Sequence, residues 1–508
     1  MIPVRSFLRY PQWLWAACLG LAGVLTLTTL AGRWSLLDSY SLDLNGAEEN
    51  VVYGVIKALG PAPLYTDPEV VPFDVIQYSP AYYGAAVTVC QLLGVDGQDP
   101  SEVYRVVRSM GLALNLLYVL LAFGLARRLG ADRPWAIVWA AVLLLFIPRQ
   151  AFSRPDALHL VCFAAAMFAF LPALRLQPGS ERTRRMDLAV VLAALDPFTK
   201  QSGILALLII GAALLFTRQH QALLRAVLIA ALVIGSGVLL LCLHYGADIV
   251  HANLVTGIRN GISATPETWL AYQLAEPSFP LVQLIGVVAG IIFLRRAEPL
   301  YRCLGIGLVL SLLFGHLTGL KHGSSTAYHM ENMFLTVVVM ALLPNERAGN
   351  ARKVVEITLL GTALFCVRIM HLKWGVVVLL GNAGPDPHRA AYADAARMAT
   401  EMQQDHELRE GLVLLTAHDH LENFLVGRSV ITQKDIVLLE SSKAHFDFSG
   451  FPRAVANGDV RWVLSRAPVE RLPMLGPPPR PLVPYAERHG YHIYLNPPAG
   501  AAAAADLR

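Results

Sequence analysis

The sequence predicts a mostly α, polytopic helical membrane protein with a small α/β domain at its C-terminal end. Three observations predict this. The 508 residues are 55% hydrophobic and only 15% charged, and a mean hydropathy of +0.49 is too apolar for a soluble chain of this length. Up to residue 375 the apolar residues fall into about eleven runs, taking roughly 20 residues as one membrane crossing. After residue 380 the pattern changes to short β-type runs beside one amphipathic helical stretch. The net charge of +4 is uninformative until its placement is known. No basic tract interleaved with aromatics is present, so the sequence gives no reason to expect a nucleic-acid partner.

The apolar runs lie near 12–32, 104–126, 135–152, 156–175, 187–198, 202–217, 224–245, 279–294, 302–320, 328–344 and 354–375. Every second connection is basic, as an alternating path with positive loops inside demands. Arg127, Arg128 and Arg133 mark one such connection, and Arg175, Arg182, Arg184 and Arg185 the next. Arg218 with Arg225, Arg295 with Arg296 and Arg302, and Arg347 with Arg352 and Lys353 complete the series. The first run follows Arg5 and Arg9 and lacks a small-residue cleavage site, so it reads as a retained span rather than a signal peptide. An inside N-terminus and an odd number of spans put the C-terminus outside. The runs at 187–198 and 328–344 are short, and a re-entrant path for either would move the C-terminal domain across the membrane.

The expected organisation is a membrane domain over 1–378, including a large first external loop at 33–103, followed by a soluble domain over 379–508. Within that loop, Pro80 to Gly94 is half apolar and suits a helix lying on the membrane surface. A second external segment covers 246–278. Residues 388–404 have helical periodicity, and 411–416, 461–465 and 491–495 read as strands. The proline-rich stretch Gly476–Pro484 reads as loop, and 499–508 as a frayed tail. The six cysteines form neither a disulfide framework nor a C-x-x-C pattern. No repeat points to inverted transporter halves.

The residues suited to chemistry share the side opposite the arginines. Asp43, Glu48 and Glu49 can act as a general base or hold a divalent cation, or simply sit at a helix start where acids favour the dipole. In Ser153-Arg154-Pro155-Asp156, helix capping explains Ser153, Pro155 and Asp156. It does not explain Arg154, which an anionic partner would. Lys200 lies in a very short turn between two apolar runs. It is either an interfacial lysine whose stem snorkels or a cation placed to meet a phosphate at membrane depth. Lys321 suits a helix C-terminus. Tyr328 and Glu331 are three residues apart at the mouth of an apolar helix and would share a face. His418 and His420 would share a strand face as a possible metal pair, or form a solvated strand end.

These stretches carry a resemblance to the GT-C superfamily of integral-membrane glycosyltransferases, and within it to the bacterial relatives of protein mannosyltransferase and the lipid A aminoarabinose transferase. Ala47-Glu48-Glu49 with Tyr53, then Gly60 to Asp67, resembles the acidic motif of the first external loop. Tyr78-Ser79-Pro80-Ala81-Tyr82-Tyr83 resembles the tyrosine motif that follows it. Arg154-Pro155-Asp156, Thr199-Lys200-Gln201-Ser202-Gly203 and Gly323 through Tyr328 to Glu331 resemble three later loop motifs. The superfamily's acidic motif often has aspartate before glutamate, where this chain has Glu48-Glu49.

The resemblance implies transfer of a sugar from a polyprenyl-phosphate donor to a hydroxyl of an extracytoplasmic acceptor, with inversion, by a protein of the bacterial inner membrane whose C-terminal domain is periplasmic. It implies Glu48 or Glu49, with Asp43 as a third candidate, as base. It implies Arg154, Lys200 and Lys321 at the donor phosphate, and Tyr78, Tyr82, Asp156, Tyr328 and Glu331 around the substrate. Tyr78, Tyr82 and Tyr83 equally suit an interfacial aromatic belt. The resemblance fixes no cofactor, and a divalent cation stays open because the superfamily has metal-dependent and metal-independent members. Membrane lipids are the expected surroundings. The competing classes are a transporter or flippase of a lipid-linked or anionic substrate, a lipid-linked-oligosaccharide polymerase or ligase, and a non-catalytic scaffold.

Overall fold

Each apolar run of the sequence overlaps a helix of the structure, a computed structural model. It describes residues 12–44, 46–147, 152–259, 265, 278–321, 326–346, 349–370, 384–432, 437 and 445–497. The Gly323–Ser325 part of the last loop motif and the 499–508 tail lie outside the described residues.

The helices run in chain order as α1 (Gln12–Ser35), α2 (Glu48–Leu59), α3 (Pro80–Leu92), α4 (Pro100–Arg128), α5 (Arg133–Phe146), α6 (Asp156–Ala173) and α7 (Ser180–Leu195). They continue as α8 (Leu205–Phe216), α9 (His220–Tyr245), α10 (Ala247–Leu254), α11 (Ser278–Leu294), α12 (Pro299–Gly319), α13 (Met330–Leu342) and α14 (Gly349–Met370). The C-terminal region adds α15 (Arg389–Gln404), α16 (Leu421–Phe424) and α17 (Gly450–Asn457), with strands β1 (Leu412–Leu415), β2 (Ser429–Val430), β3 (Val460–Ser465), β4 (Val483–Arg488) and β5 (Tyr491–Leu495). Among the described residues, five helices are long and apolar enough to cross a membrane: Pro100–Arg128, Asp156–Ala173, His220–Tyr245, Pro299–Gly319 and Ala327–Asn345. α5, α8 and the 280–294 part of α11 are apolar but shorter. Length and composition thus qualify fewer crossings than the eleven expected. α9 is almost entirely unburied, with Leu224, Leu228, Leu232, Leu240 and Leu243 turned outward, which is how a lipid-facing helix differs from a soluble one.

The chain divides into two compact units. The first comprises Met1–Leu37, Arg108–Gly237 and Gly261–Gly384. Its core is continuous through α5, α6, α8, α12 and α13, with Trp139, Phe146, Phe163, Met167, Phe170 and Phe334 fully enclosed. Tyr118 of α4 lies against Phe334, ring centroids 5.3 Å apart. Its hydroxyl donates to the Met330 carbonyl at 2.7 Å, which meets the hydrogen-bonding demand of a buried phenol.

The second unit comprises Asp38–Val107, Val238–Asn260 and Pro385–Arg508. The first external loop therefore groups with the C-terminal segment rather than with the spans that flank it. The sheet order is β2-β1-β3-β5-β4. β1 is parallel to β2 and β3, whereas β5 is antiparallel to β3 and β4. Alternation along the strands buries both faces. Leu414, Val460 and Val463 face α17 together with Phe73 and Val75 of the first loop. Val413, Leu415, Trp462, Leu464 and Ile493 face Met398 and Met402 of α15.

The three strands read from sequence are present, and two are added. β2 is only two residues long, too short for any periodicity. β4 begins at Val483, inside the stretch expected to be loop. It is an edge strand, where Pro484 removes no needed ladder donor.

Candidate active site

In the first unit, three segments distant in sequence bring ionisable groups together at the starts of helices. The first is the turn that opens α6. Pro155 occupies the cap position of α6 in αR conformation, so Ser153, expected to cap the helix, lies outside it and is fully buried. The backbone is crowded here. A Cβ on Gly111 of α4 would fall 1.5 Å from the Phe152 carbonyl oxygen, so only glycine lets α4 pass this turn.

The second segment follows α7 through a 3₁₀ turn, Asp196–Phe198. The Asp196 carbonyl accepts the N–H groups of Thr199 (2.8 Å) and Lys200 (3.2 Å), and the Thr199 hydroxyl donates to its carboxylate at 2.8 Å. A Cβ on Gly203 would lie 2.6 Å from the Asp196 carbonyl carbon. The glycine that ends the Thr199–Gly203 motif is thus what allows the turn to fold back on Asp196. The third segment is the 3₁₀ turn Thr326–His329 that leads into α13.

These segments meet in a buried charge network. Lys200 Nζ donates to Asp156 Oδ1 at 2.6 Å, and Arg154 Nε lies 3.3 Å from Asp156 Oδ2. The Lys200 ammonium sits 4.1 Å above the Tyr328 ring, a cation–π placement. His159, one turn into α6, meets the Asp196 carboxylate through Nδ1 at 2.8 Å and Glu331 Oε1 through Nε2 at 2.7 Å. Arg154, Asp156, His159, Asp196, Lys200 and Glu331 are all less than 7% exposed. Burial works against the charge of Lys200, but Asp156 beside it outweighs this and raises its pKa above the usual lysine range. Two cations, Lys200 and Arg154, therefore meet at one carboxylate, Asp156.

In the second unit the three first-loop carboxylates have separate roles. Asp43 accepts the N–H groups of Gly46 (2.6 Å), Ala47 (2.8 Å) and Glu48 (3.3 Å). That grip holds Ala47 at φ 135°, a conformation alanine rarely adopts. Glu48 is fully buried, and its Oε2 accepts the Leu44 N–H at 2.9 Å. Asp43 therefore ties down the loop that enters α2, whose N-cap position is Ala47. Glu49 faces a different partner: its Oε2 is 3.1 Å from His418 Nδ1. Its Oε1 is buried and has no hydrogen-bond partner among the described residues. Glu49, His418 and Glu422 each offer a ligand atom within 4.8 Å of the others.

Two solved structures share the architecture. One is ArnT from Cupriavidus metallidurans in the apo state, with a TM-score of 0.62 at 14% identity over 93% of this chain and 97% of that one. The other is the archaeal oligosaccharyltransferase AglB from Archaeoglobus fulgidus, in complex with an inhibitory peptide and a dolichol-phosphate. Its TM-score is 0.53 at 12% identity, over 88% of this chain and 69% of that one. The chain has the GT-C fold. No protein-family model matches the sequence, and no curated protein matches it either.

The chain places the expected residues unevenly. Arg154, Asp156, Lys200, Tyr328 and Glu331 fall into one network. Lys321 closes α12, its N–H on the Thr318 carbonyl at 3.2 Å. Tyr78 offers its carbonyl to the Tyr65 hydroxyl at 2.7 Å. Tyr82 and Tyr83 are fully buried, which corrects the interfacial-belt expectation for both: their rings pack edge to face at 6.4 Å.

The His418–His420 pair is also corrected. β1 ends at Leu415, so no strand aligns the two rings. His420 lies against Tyr392, and burial pushes its pKa down to about 4, with Asp419 opposing and His388 and Arg466 adding to the shift. Sequence reading missed His159 and Asp196 as site residues. The available signal was a lone histidine one turn beyond Asp156 in an otherwise apolar helix. A cavity of about 830 Å³ is lined by Arg182, Arg218 and Arg225 of the basic connections and by none of the network residues.

Proposed function

We propose that this GT-C chain is a membrane glycosyltransferase that moves a sugar from a polyprenyl-phosphate donor to a hydroxyl of an extracytoplasmic acceptor. The observation that carries the reading is the buried pair Arg154 and Lys200 sharing Asp156 at the mouth of apolar helices. Intramembrane-level charges are costly and are kept for function. Two cations placed side by side suit a phosphate whose negative charge grows as it leaves. The acceptor oxygen attacks the anomeric carbon, the bond from that carbon to the phosphate oxygen breaks, and the lipid phosphate departs with the electron pair. Lys200 meets it as a point charge and Arg154 through its fork of donors. Single displacement inverts the anomeric centre. By the resemblance, the acceptor proton goes to Glu48 or Glu49. The dolichol-phosphate bound by AglB supports a lipid-phosphate ligand for this fold.

The test is transfer from a panel of radiolabelled polyprenyl-phosphate sugars by the purified protein, with native lipid extract as acceptor. Wild type should transfer one sugar, and Lys200→Ala should lose at least about a hundredfold in rate. Glu48→Gln and Glu49→Gln tell which carboxylate takes the proton. Wild type that transfers nothing but moves a lipid-linked or anionic substrate across proteoliposomes would make the chain a transporter.

A further inference from the structure

We propose that Glu49, His418 and Glu422 form a binding site for a divalent transition-metal cation of the Zn2+ class. The inference concerns the second unit alone and does not depend on sugar transfer.

The donor set is one imidazole and two carboxylates, with one ligand atom from each inside 4.8 Å of the other two. Carboxylate oxygen and imidazole nitrogen are zinc donors, and the imidazole disfavours the oxygen-seeking Mg2+ and Ca2+. Glu49 supplies the second observation. The residue is 8% exposed, and its Oε1 is dry and without a hydrogen-bond partner among the described residues. A carboxylate oxygen left that way costs more than most folds tolerate. An ion pair with His418 satisfies Oε2 only. It leaves Oε1 facing inward and a second carboxylate, Glu422 at 2% exposure, close by. Two buried carboxylates at this separation repel unless a proton or a cation lies between them. A cation satisfies both.

The ligands are held by residues that are not ligands, as a preorganised site requires. Asp43 fixes the first turn of α2, which carries Glu49. The residue after His418, Asp419, accepts from Arg466 Nε at 2.9 Å, from the Tyr491 hydroxyl at 2.5 Å and from the Leu421 N–H at 2.9 Å. The turn carrying His418 is therefore tied to the ends of β3 and β5. Glu422 follows four residues later in α16, which packs on α2. The His418 side chain keeps 33% exposure, so an ion can enter and one coordination position stays open to water.

The test is zinc binding by the full-length protein in detergent, stripped with a chelator and titrated with Zn2+ in a calorimeter, with bound metal counted after desalting. The expected result is one zinc per chain in the wild type. Glu49→Gln, His418→Ala and Glu422→Gln should each weaken binding at least about tenfold. His418→Cys, which restores a zinc ligand, should recover part of the loss, and that recovery excludes misfolding as its cause. Lys200→Ala should keep its zinc, so a failure of the transfer reading is seen separately from a failure of this one. Wild type without zinc, or equal zinc in the wild type and the three ligand variants, overturns the site.

Discussion

His159 Nε2 and Glu331 Oε1 lie 2.7 Å apart although 172 positions separate them in the chain. With Asp196 on the other ring nitrogen at 2.8 Å, the imidazole is the bridge between two carboxylates that would otherwise face one another in a dry interior. Both ring nitrogens have an acceptor, so the doubly protonated ring suits the position. The bridge ties α6, the turn after α7 and the start of α13 into one rigid support for Lys200 and Arg154.

Removing the bridge should be costly. His159→Ala leaves Asp196 and Glu331 buried without compensation, and breaking one partner out of a buried charge network costs about 3–5 kcal/mol. Thermal unfolding in detergent should show a large drop for His159→Ala and a smaller one for His159→Gln, which keeps a hydrogen-bonding side chain. An unchanged midpoint for His159→Ala would mean that the bridge is not structural.

Two glycines should resist substitution for reasons of space. Gly111→Ala drives a methyl into the Phe152 carbonyl, and Gly203→Ala drives one into the Asp196 backbone and carboxylate. Both obstacles are held by packed backbone, so overpacking of about 1–3 kcal/mol is expected from each. Because the displaced segments position Arg154 and Lys200, transfer should fall further than stability. Equal losses in melting temperature without loss of transfer would separate these turns from the site.

His420 should give the second unit an acid limit. Its folded pKa of about 4 lies below the unfolded value near 6.5. Above the unfolded value the ring is neutral in both states, and stability is whole. As pH falls from there toward 4, the unfolded chain takes up the proton first and stability is lost, by about 3 kcal/mol in total at most. Protection of the β1 and β3 amides in the full-length protein, taken as exchange relative to the intrinsic rate at each pH, should fall between pH 6.5 and 4, and His420→Phe should flatten that dependence. The same slope in the variant would assign the acid limit to other groups.

Much of the fold was legible because helices and strands advertise themselves locally. The apolar run at 224–245 became α9, and the periodic stretch 388–404 became α15, within a few residues at either end. Arg154 and Lys200 stood out because neither has a local reason to lie at the mouth of an apolar helix. Asp43 and Glu49 could not be told apart. Both are acids near a helix start, and only the direction of each side chain put one on the backbone of the loop entering α2 and the other against His418. His159 stayed hidden because a single histidine in an apolar helix is compatible with ordinary core packing.

The sequence alone determined the class of the protein: a chain this apolar, with arginines in every second connection, must place its helices in lipid, because water and hydrocarbon sort side chains by chemistry one residue at a time. It also determined which short segments carry charge. Only the tertiary structure decided how those charges are paired. Lys200 on Asp156, His159 between Asp196 and Glu331, and Glu49 against His418 are contacts between segments 37 to 369 residues apart. The energy of such a pair depends on distance and burial in three dimensions, and no local pattern in the chain records either.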